Sequence, residues 1–351
     1  MSNKTDPIRR RRRAIGVLLT ILVLSLLAPL PAYWLAQPVQ AQGEIENEGA
    51  NPRANYWRAV REGDQGYTAV QGQETGVLIQ NGGENWRTLR NGPIADYGGW
   101  ILAGIVLLIA LFYLIKGTIR IQPGRAGQTL PRWTMFDRVV HWYVAATFLI
   151  LSVTGLSLFY GREVLIPLLG KDGFAAYAGF AKLVHNYVGP LFAVGLVIMV
   201  LVWLRFNIPK RHDLQWVKQA GGIIGSGHPH AGRMNAGEKL WFWFLALAGL
   251  AIVGSGLVLD FPNYGQTRET MQTAHLVHAA LGMLLMAGSI GHMYIGSIGT
   301  EGALEGMTGG RVDENWAKQH HDLWYDEVKR SGTDSHLASQ PAAAGKPARA
   351  T

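Results

Sequence analysis

Long apolar runs, not alternating or short patterns, dominate this chain. Five of them lie near residues 99–116, 139–160, 184–204, 240–260 and 273–298, separated by charged connections. Each reaches the roughly 18 residues at which an apolar helix spans a bilayer, so each predicts a membrane-crossing helix. A sixth run, residues 14–30, follows a basic start and stops at Pro29 and Pro31, ahead of Val39-Gln40-Ala41. Residues 1–41 therefore read as a signal peptide, with an uncleaved anchor helix as the alternative.

The expected fold class is an all-α integral membrane protein. Its parts are a polar exported segment at 42–97, an extra N-terminal transmembrane helix at 98–117, a four-helix transmembrane bundle at 129–300, and a cytoplasmic tail at 301–351. The composition after about 332, rich in Ala, Pro, Ser and Lys, predicts disorder there. The segment 42–97 carries eight acidic residues against five Arg, with Tyr56, Trp57, Tyr67 and Trp86. It is too short and polar to fold alone, so a partner protein is expected against it.

Charge sets the orientation. Lys116, Arg120, Arg125, Arg132 and Arg138 crowd one connection, and Arg205, Lys210, Arg211, Lys218, Arg233 and Lys239 crowd another. The connections at 161–183 and 261–272 are poorer in Lys and Arg. The positive-inside rule then puts the two basic connections and the C-terminus in the cytoplasm of a bacterial inner membrane, and the N-terminal segment in the periplasm. The formal charge of +8 does not point to nucleic acid, because Lys4 and Arg9 to Arg13, offset by Asp6, supply +5 and leave 8 − 5 = +3 downstream. The absence of Cys excludes iron–sulfur clusters, disulfides and thiol catalysis on this chain.

Five of the eleven His fall in or beside spans: His141, His185, His275, His278 and His292. Ionisable groups at membrane depth are costly and tend to be functional, although an interhelical hydrogen bond explains any single one. His278 and His292, fourteen residues apart on one span, share a helix face about 21 Å apart along its axis. Depth pairs His185 with His278 near the periplasm and His141 with His292 near the cytoplasm. Two imidazoles at one depth suit bis-His ligation of haem iron, whereas zinc wants three or four ligands. Two haem b groups are thus expected. Gly155, Gly189, Gly195, Gly282, Gly288 and Gly291 fit a flat macrocycle, or serve ordinary helix packing. His275, one turn from His278, competes for its role but lacks the fourteen-residue relation. His212, His228, His230, His320, His321 and His336 read as solvated.

From about Thr129 to Glu327 the chain resembles the cytochrome b556 (gamma) subunit of respiratory formate dehydrogenases. The resemblance rests on Phe136-Asp137-Arg138 with His141-Trp142, Lys182-Leu183-Val184-His185, Ile208-Pro209, Asn235-Ala236-Gly237-Glu238-Lys239, His278-Ala279-Ala280, His292-Met293-Tyr294, and Trp316-Ala317-Lys318-Gln319-His320-His321 with Trp324-Tyr325. It implies a membrane-anchor subunit with two haem b groups. Electrons would come from an iron–sulfur beta subunit attached to a molybdenum or tungsten formate-oxidising alpha subunit, and ubiquinone or menaquinone would be reduced on the cytoplasmic side. It also implies quinone contacts at Asn235, Gly237 and Glu238 beside His292. Gln is familiar in that family where this chain has Glu238, and a carboxylate there suits proton uptake. The loop equally suits a helix start with Asn235 as its cap. Arg138, three residues before His141, is a candidate for a haem propionate. The first 128 residues have no counterpart in compact members of the family.

Two other readings stay open at this level. One is the cytochrome b subunit of a nickel–iron hydrogenase or of a thiosulfate or polysulfide reductase. The other, a haem-free transporter relaying protons through His, predicts acidic partners at membrane depth, and the spans from 139 onward hold almost none besides Asp260.

Overall fold

In hydrocarbon every backbone polar group must be bonded within the chain, which turns long apolar runs into helices. The computed structural model describes residues 81–222, 228–262 and 264–331. The signal peptide at 1–41, residues 42–80 of the exported segment, His336 and the tail after about 332 lie outside the described residues.

Five helical segments are long and apolar enough to cross a membrane: Asn85–Lys116, Met135–Val164, Ile166–Phe206, Ala236–Asp260 and Arg268–Gly299. The protein is thus a helical membrane protein, as the apolar runs predict. The elements in order are α1 (Asn81–Leu89), a π-helical turn Arg90–Ile94, α2 (Ala95–Lys116), β1 (Thr129–Pro131), α3 (Met135–Val164), α4 (Ile166–Trp203), α5 (Arg211–Lys218), α6 (Ala236–Asp260), α7 (Arg268–Tyr294), α8 (Ala303–Gly309), β2 (Arg311–Asp313), α9 (Glu314–His320) and α10 (Asp322–Arg330). The helices overrun the apolar runs at their ends. The largest difference is at 161–183, expected as a connection, where α4 begins at Ile166 and continues into the span. Gly170, at φ 71°, breaks it into two helical pieces.

The described residues form two units. The first comprises the part up to Ala95 with Ile150–Tyr187 and Val258–Leu276. Here the residues before α2 are anchored by named contacts. Arg90 lies 4.4 Å over the Phe159 ring, and Tyr160 donates to the Ala95 carbonyl at 2.6 Å. Trp86 Nε1 donates to His275 Nδ1 at 3.2 Å. Tyr177 donates to Ser157 Oγ at 2.6 Å, closing the part of α4 that follows Gly170 onto α3.

The second unit comprises Asp96–Leu149, Val188–Leu257 and the chain from Val277. Beyond the last span the chain is not a loose tail. β2 pairs antiparallel with β1, matching Leu130 with Val312, and Ile119 bridges Thr300. Ile121, Leu130, Val312, Trp316, Ala317 and Trp324 bury a small core between them. Asp313 caps α9 by accepting from Asn315 N at 2.9 Å, and it also accepts from Ala126 N and Gly127 N. Arg125 forks onto Glu305 at 2.8 and 2.9 Å. The connection 117–134 and the segment 300–330 therefore fold together as one polar layer, which positions the residues discussed next.

Candidate functional site

His185 and His278 sit in two copies of one local arrangement. Thr154-Gly155-Leu156 on α3 and Ser255-Gly256-Leu257 on α6 share a hydroxyl, a glycine and a leucine in the same order. Thr154 Oγ1 lies 2.9 Å from His185 Nδ1 and already donates its proton to the Ile150 carbonyl at 2.8 Å. The hydroxyl therefore accepts, and His185 Nδ1 carries the hydrogen. His278 Nδ1 lies 3.0 Å from the Ile252 carbonyl and 3.3 Å from Ser255 Oγ, whose own proton goes to Ala251 O at 2.9 Å. A carbonyl can only accept, so His278 has the same tautomer. Both rings thus put their lone pair on Nε2, the nitrogen a metal would take.

The glycines make room for these rings. A Cβ on Gly155 would stand 3.3 Å from His185 Cε1, and one on Gly256 would stand 2.9 Å from His278 Cε1. Gly256→Ala is therefore expected to displace the His278 ring and lower haem retention more than Gly155→Ala does. Haem per protein, measured by pyridine haemochrome, checks this; equal retention in both variants would contradict it.

His275 has the opposite tautomer. Its Nδ1 accepts from Trp86, so Nε2 carries the proton and offers no lone pair to iron.

His141 and His292 lie in one unit, with ring centroids 6.1 Å apart. Metal–imidazole bonds of about 2 Å on either side of one ion put two centroids about 6 Å apart. Trp203 stacks on His141 at 6.3 Å, and Trp241 on His292 at 5.3 Å with 14° between the planes. His141 Nδ1 is buried with no hydrogen-bond partner. Among the described residues no group of three or more His, Cys, Asp or Glu could hold a metal. A metal on a two-imidazole set therefore needs its other ligands from the group that carries it, as in a haem. Small residues follow the same logic: one turn toward the span centre from His185, His278 and His292 come Gly189, Gly282 and Gly288, and from His141 Ala145. A Cβ on Gly189 or Gly291 would meet nothing within 4 Å, whereas Gly195 faces Tyr143 and Gly288 faces Trp241.

Arg138 Nη1 donates to the Thr308 carbonyl at 2.8 Å, while its Nε is buried without a partner. An unmatched cationic N–H one turn from His141 fits a propionate. Asn235 is the helix cap: its Oδ1 accepts from Glu238 N at 2.9 Å, and Glu238 Oε2 accepts from Asn235 N at 2.8 Å, a reciprocal capping box. Glu238 Oε1 also pairs with the buried Arg132 at 3.0 Å. The space over Gly237 is filled, since a Cβ there would stand 2.9 Å from the Trp216 ring. Lys239, also buried, pairs with Asp213 at 2.7 Å and ties α5 to the start of α6.

Three of the His expected in solvent have a buried ring nitrogen: His212, whose Nε2 lies 3.6 Å from Asp213, His320 and His321. His321 is 1% exposed, with Nδ1 on the Gly232 carbonyl at 2.8 Å and Nε2 3.8 Å from Glu238 Oε2. Burial, seconded by Arg132, pushes its pKa well below the usual value, and burial brings His320 down to about 4. Folding of the polar layer buries them against the Trp316 ring, a long-range effect that local polarity does not reveal. His228 and His230 are exposed, and His230 pairs with Asp322. Because the folded state holds His320 and His321 neutral while an unfolded chain protonates near 6.5, stability is expected to fall as pH drops from about 6.5 through 4. Thermal melts of the purified protein should show this slope, flattened in His320→Gln/His321→Gln; an unchanged slope would contradict it.

Two imidazoles 6.1 Å apart between membrane-crossing helices, as His141 and His292 are, fit the class of membrane-bound b-type cytochromes. The chain belongs to the prokaryotic cytochrome b561 family, whose profile matches residues 132–310, about half of its length, and which binds haem b. It is similar to the cytochrome b556(Fdn) subunit of the nitrate-inducible formate dehydrogenase of Escherichia coli, 28% identical over 57% of this chain and 92% of that protein. It is 27% identical to the formate dehydrogenase cytochrome b556 subunit of Haemophilus influenzae, over 58% of this chain and 85% of that one. The cytochrome b556(fdo) subunit of Escherichia coli formate dehydrogenase matches at 27% over 58% and 95%.

Proposed function

We propose that this chain is the membrane-anchor and electron-transfer subunit of a formate dehydrogenase, taking electrons from an iron–sulfur subunit bound to a molybdenum or tungsten formate-oxidising subunit and passing them to quinone. The observation that carries the reading is the separation of the His141 and His292 rings, at the spacing one iron requires. The names of the similar proteins support formate as the electron source.

His141 and His292 would hold one haem b, and His185 and His278 are the residues that would serve a second. When bound, the two haems supply a one-electron path across the inner membrane, from the periplasmic to the cytoplasmic side. His185 and His278 are pre-set for this by the acceptors on their Nδ1 atoms, and Arg138 takes a propionate by a charge-assisted hydrogen bond. The parts of the chain are the exported segment at 42–97, the helix at 98–117, the bundle at 129–300 and the cytoplasmic region at 301–351.

Quinone binds at the cytoplasmic surface beside the start of α6. Trp241, stacked on His292, is on the same helix as Gly237 and Glu238, one turn further in. The Asn235 side-chain amide donates to a quinone carbonyl as it gains negative charge, and the amides of the helix start add positive potential. Glu238 supplies protons from cytoplasmic water, and Arg132 keeps its carboxylate in place. In the intact complex, formate should bleach ferric b haem and then reduce added quinone. Dithionite-reducible haem that formate leaves oxidised would contradict the formate reading.

A further inference from the structure

The hydroxyl–glycine–leucine repeat does more than pack helices. We infer that Thr154, and to a smaller degree Ser255, are positioning residues that lower the redox potential of the haem that their imidazoles, His185 and His278, would hold. The inference rests on the haem reading above.

The chemistry follows from what each Nδ1–H meets. An acceptor on Nδ1–H makes the imidazole a stronger donor through Nε2 and fixes its tautomer and ring plane. A stronger donor favours ferric over ferrous iron, which lowers the potential. His185 Nδ1 meets the buried Thr154 hydroxyl at 2.9 Å. His278 Nδ1 meets the Ile252 carbonyl at 3.0 Å and the buried Ser255 hydroxyl at 3.3 Å. His141 has no such acceptor for its buried Nδ1.

The hydroxyls are also fixed themselves. Each gives its proton to a carbonyl one turn back on its own helix, so each can only accept from the imidazole. The glycine that follows lets the ring approach closely enough for the bond to form. Thr154 Oγ1 meets the His185 Nδ1 at 2.9 Å, whereas Ser255, at 3.3 Å, shares His278 with a carbonyl that no side-chain change removes. The effects of the two substitutions must differ in size.

The test is a spectroelectrochemical titration of the purified full-length protein and its variants, with haem per protein measured alongside. In Thr154→Val, which keeps the shape and loses the acceptor, one haem's reduced-to-oxidised ratio at fixed potential should rise about tenfold, a shift of about 59 mV upward for a one-electron couple. The other haem should not move. Thr154→Ser should keep the wild-type value, and Ser255→Ala should shift the same component upward by less. An unchanged titration in Thr154→Val, equal shifts of both haems, or a Thr154→Ser shift as large as that of Val would overturn the inference. If Thr154→Val fails to retain haem, Ser255→Ala decides: no rise in either component overturns it. A wild-type protein with no b haem would instead defeat the functional reading.

Discussion

Replacing His292 with Ala is expected to halve the haem content, from two b haems per chain to one, and to abolish quinone reduction while the remaining haem still takes electrons from dithionite. The reason is geometric. The His141 and His292 ring centroids lie 6.1 Å apart, and a haem that the two would share would keep only one of its imidazoles. His141→Ala should give the same species. His185→Ala or His278→Ala should remove the other haem, so the two residual spectra should differ and sum to that of the wild type. His275→Ala should keep both haems, because its ring nitrogen is engaged by Trp86. Full haem retention in His292→Ala, or loss of haem in His275→Ala, would contradict the assignment.

Asn235→Ser is expected to cut quinone turnover about a hundredfold, the effect of removing one donor aimed at developing negative charge. Haem content and melting temperature should stay at wild-type values. Ser caps a helix about as well as Asn, so this variant removes the amide donor and leaves the helix start intact. Gly237→Val is a poorer probe, because the added side chain would strike Trp216 before meeting quinone. Unchanged turnover in Asn235→Ser would move the quinone site away from this loop. A fall in stability with no selective loss of turnover would make Asn235 a cap and nothing more.

The five spans were legible because their apolar runs are long and uninterrupted, and because a helix is the one way to bury such a run in lipid. The four ligand candidates were legible from depth alone, since His is rare in such runs. The helical start of α4 was not, because Gly170 and the mixed sequence around it look like a connection until Tyr177 and Phe174 find α3. The polar layer was hidden for a different reason. Leu130 and Val312 pair across about half of the chain's length, and neither β1 nor β2 has more than three residues to announce a strand. Burial of His320 and His321 follows from that pairing, so their solvated reading failed with it. Thr154, Ser255 and Gly256 were missed as ordinary small residues in apolar helices. The available signal was the repeat itself, a hydroxyl, glycine and leucine on two different spans.

The most direct test of the account is the haem stoichiometry and redox titration of the purified wild-type protein. Two b haems per chain are predicted, titrating as two one-electron components, of which only one disappears in His292→Ala. A single haem per chain, or two haems that are both lost in that variant, would contradict it.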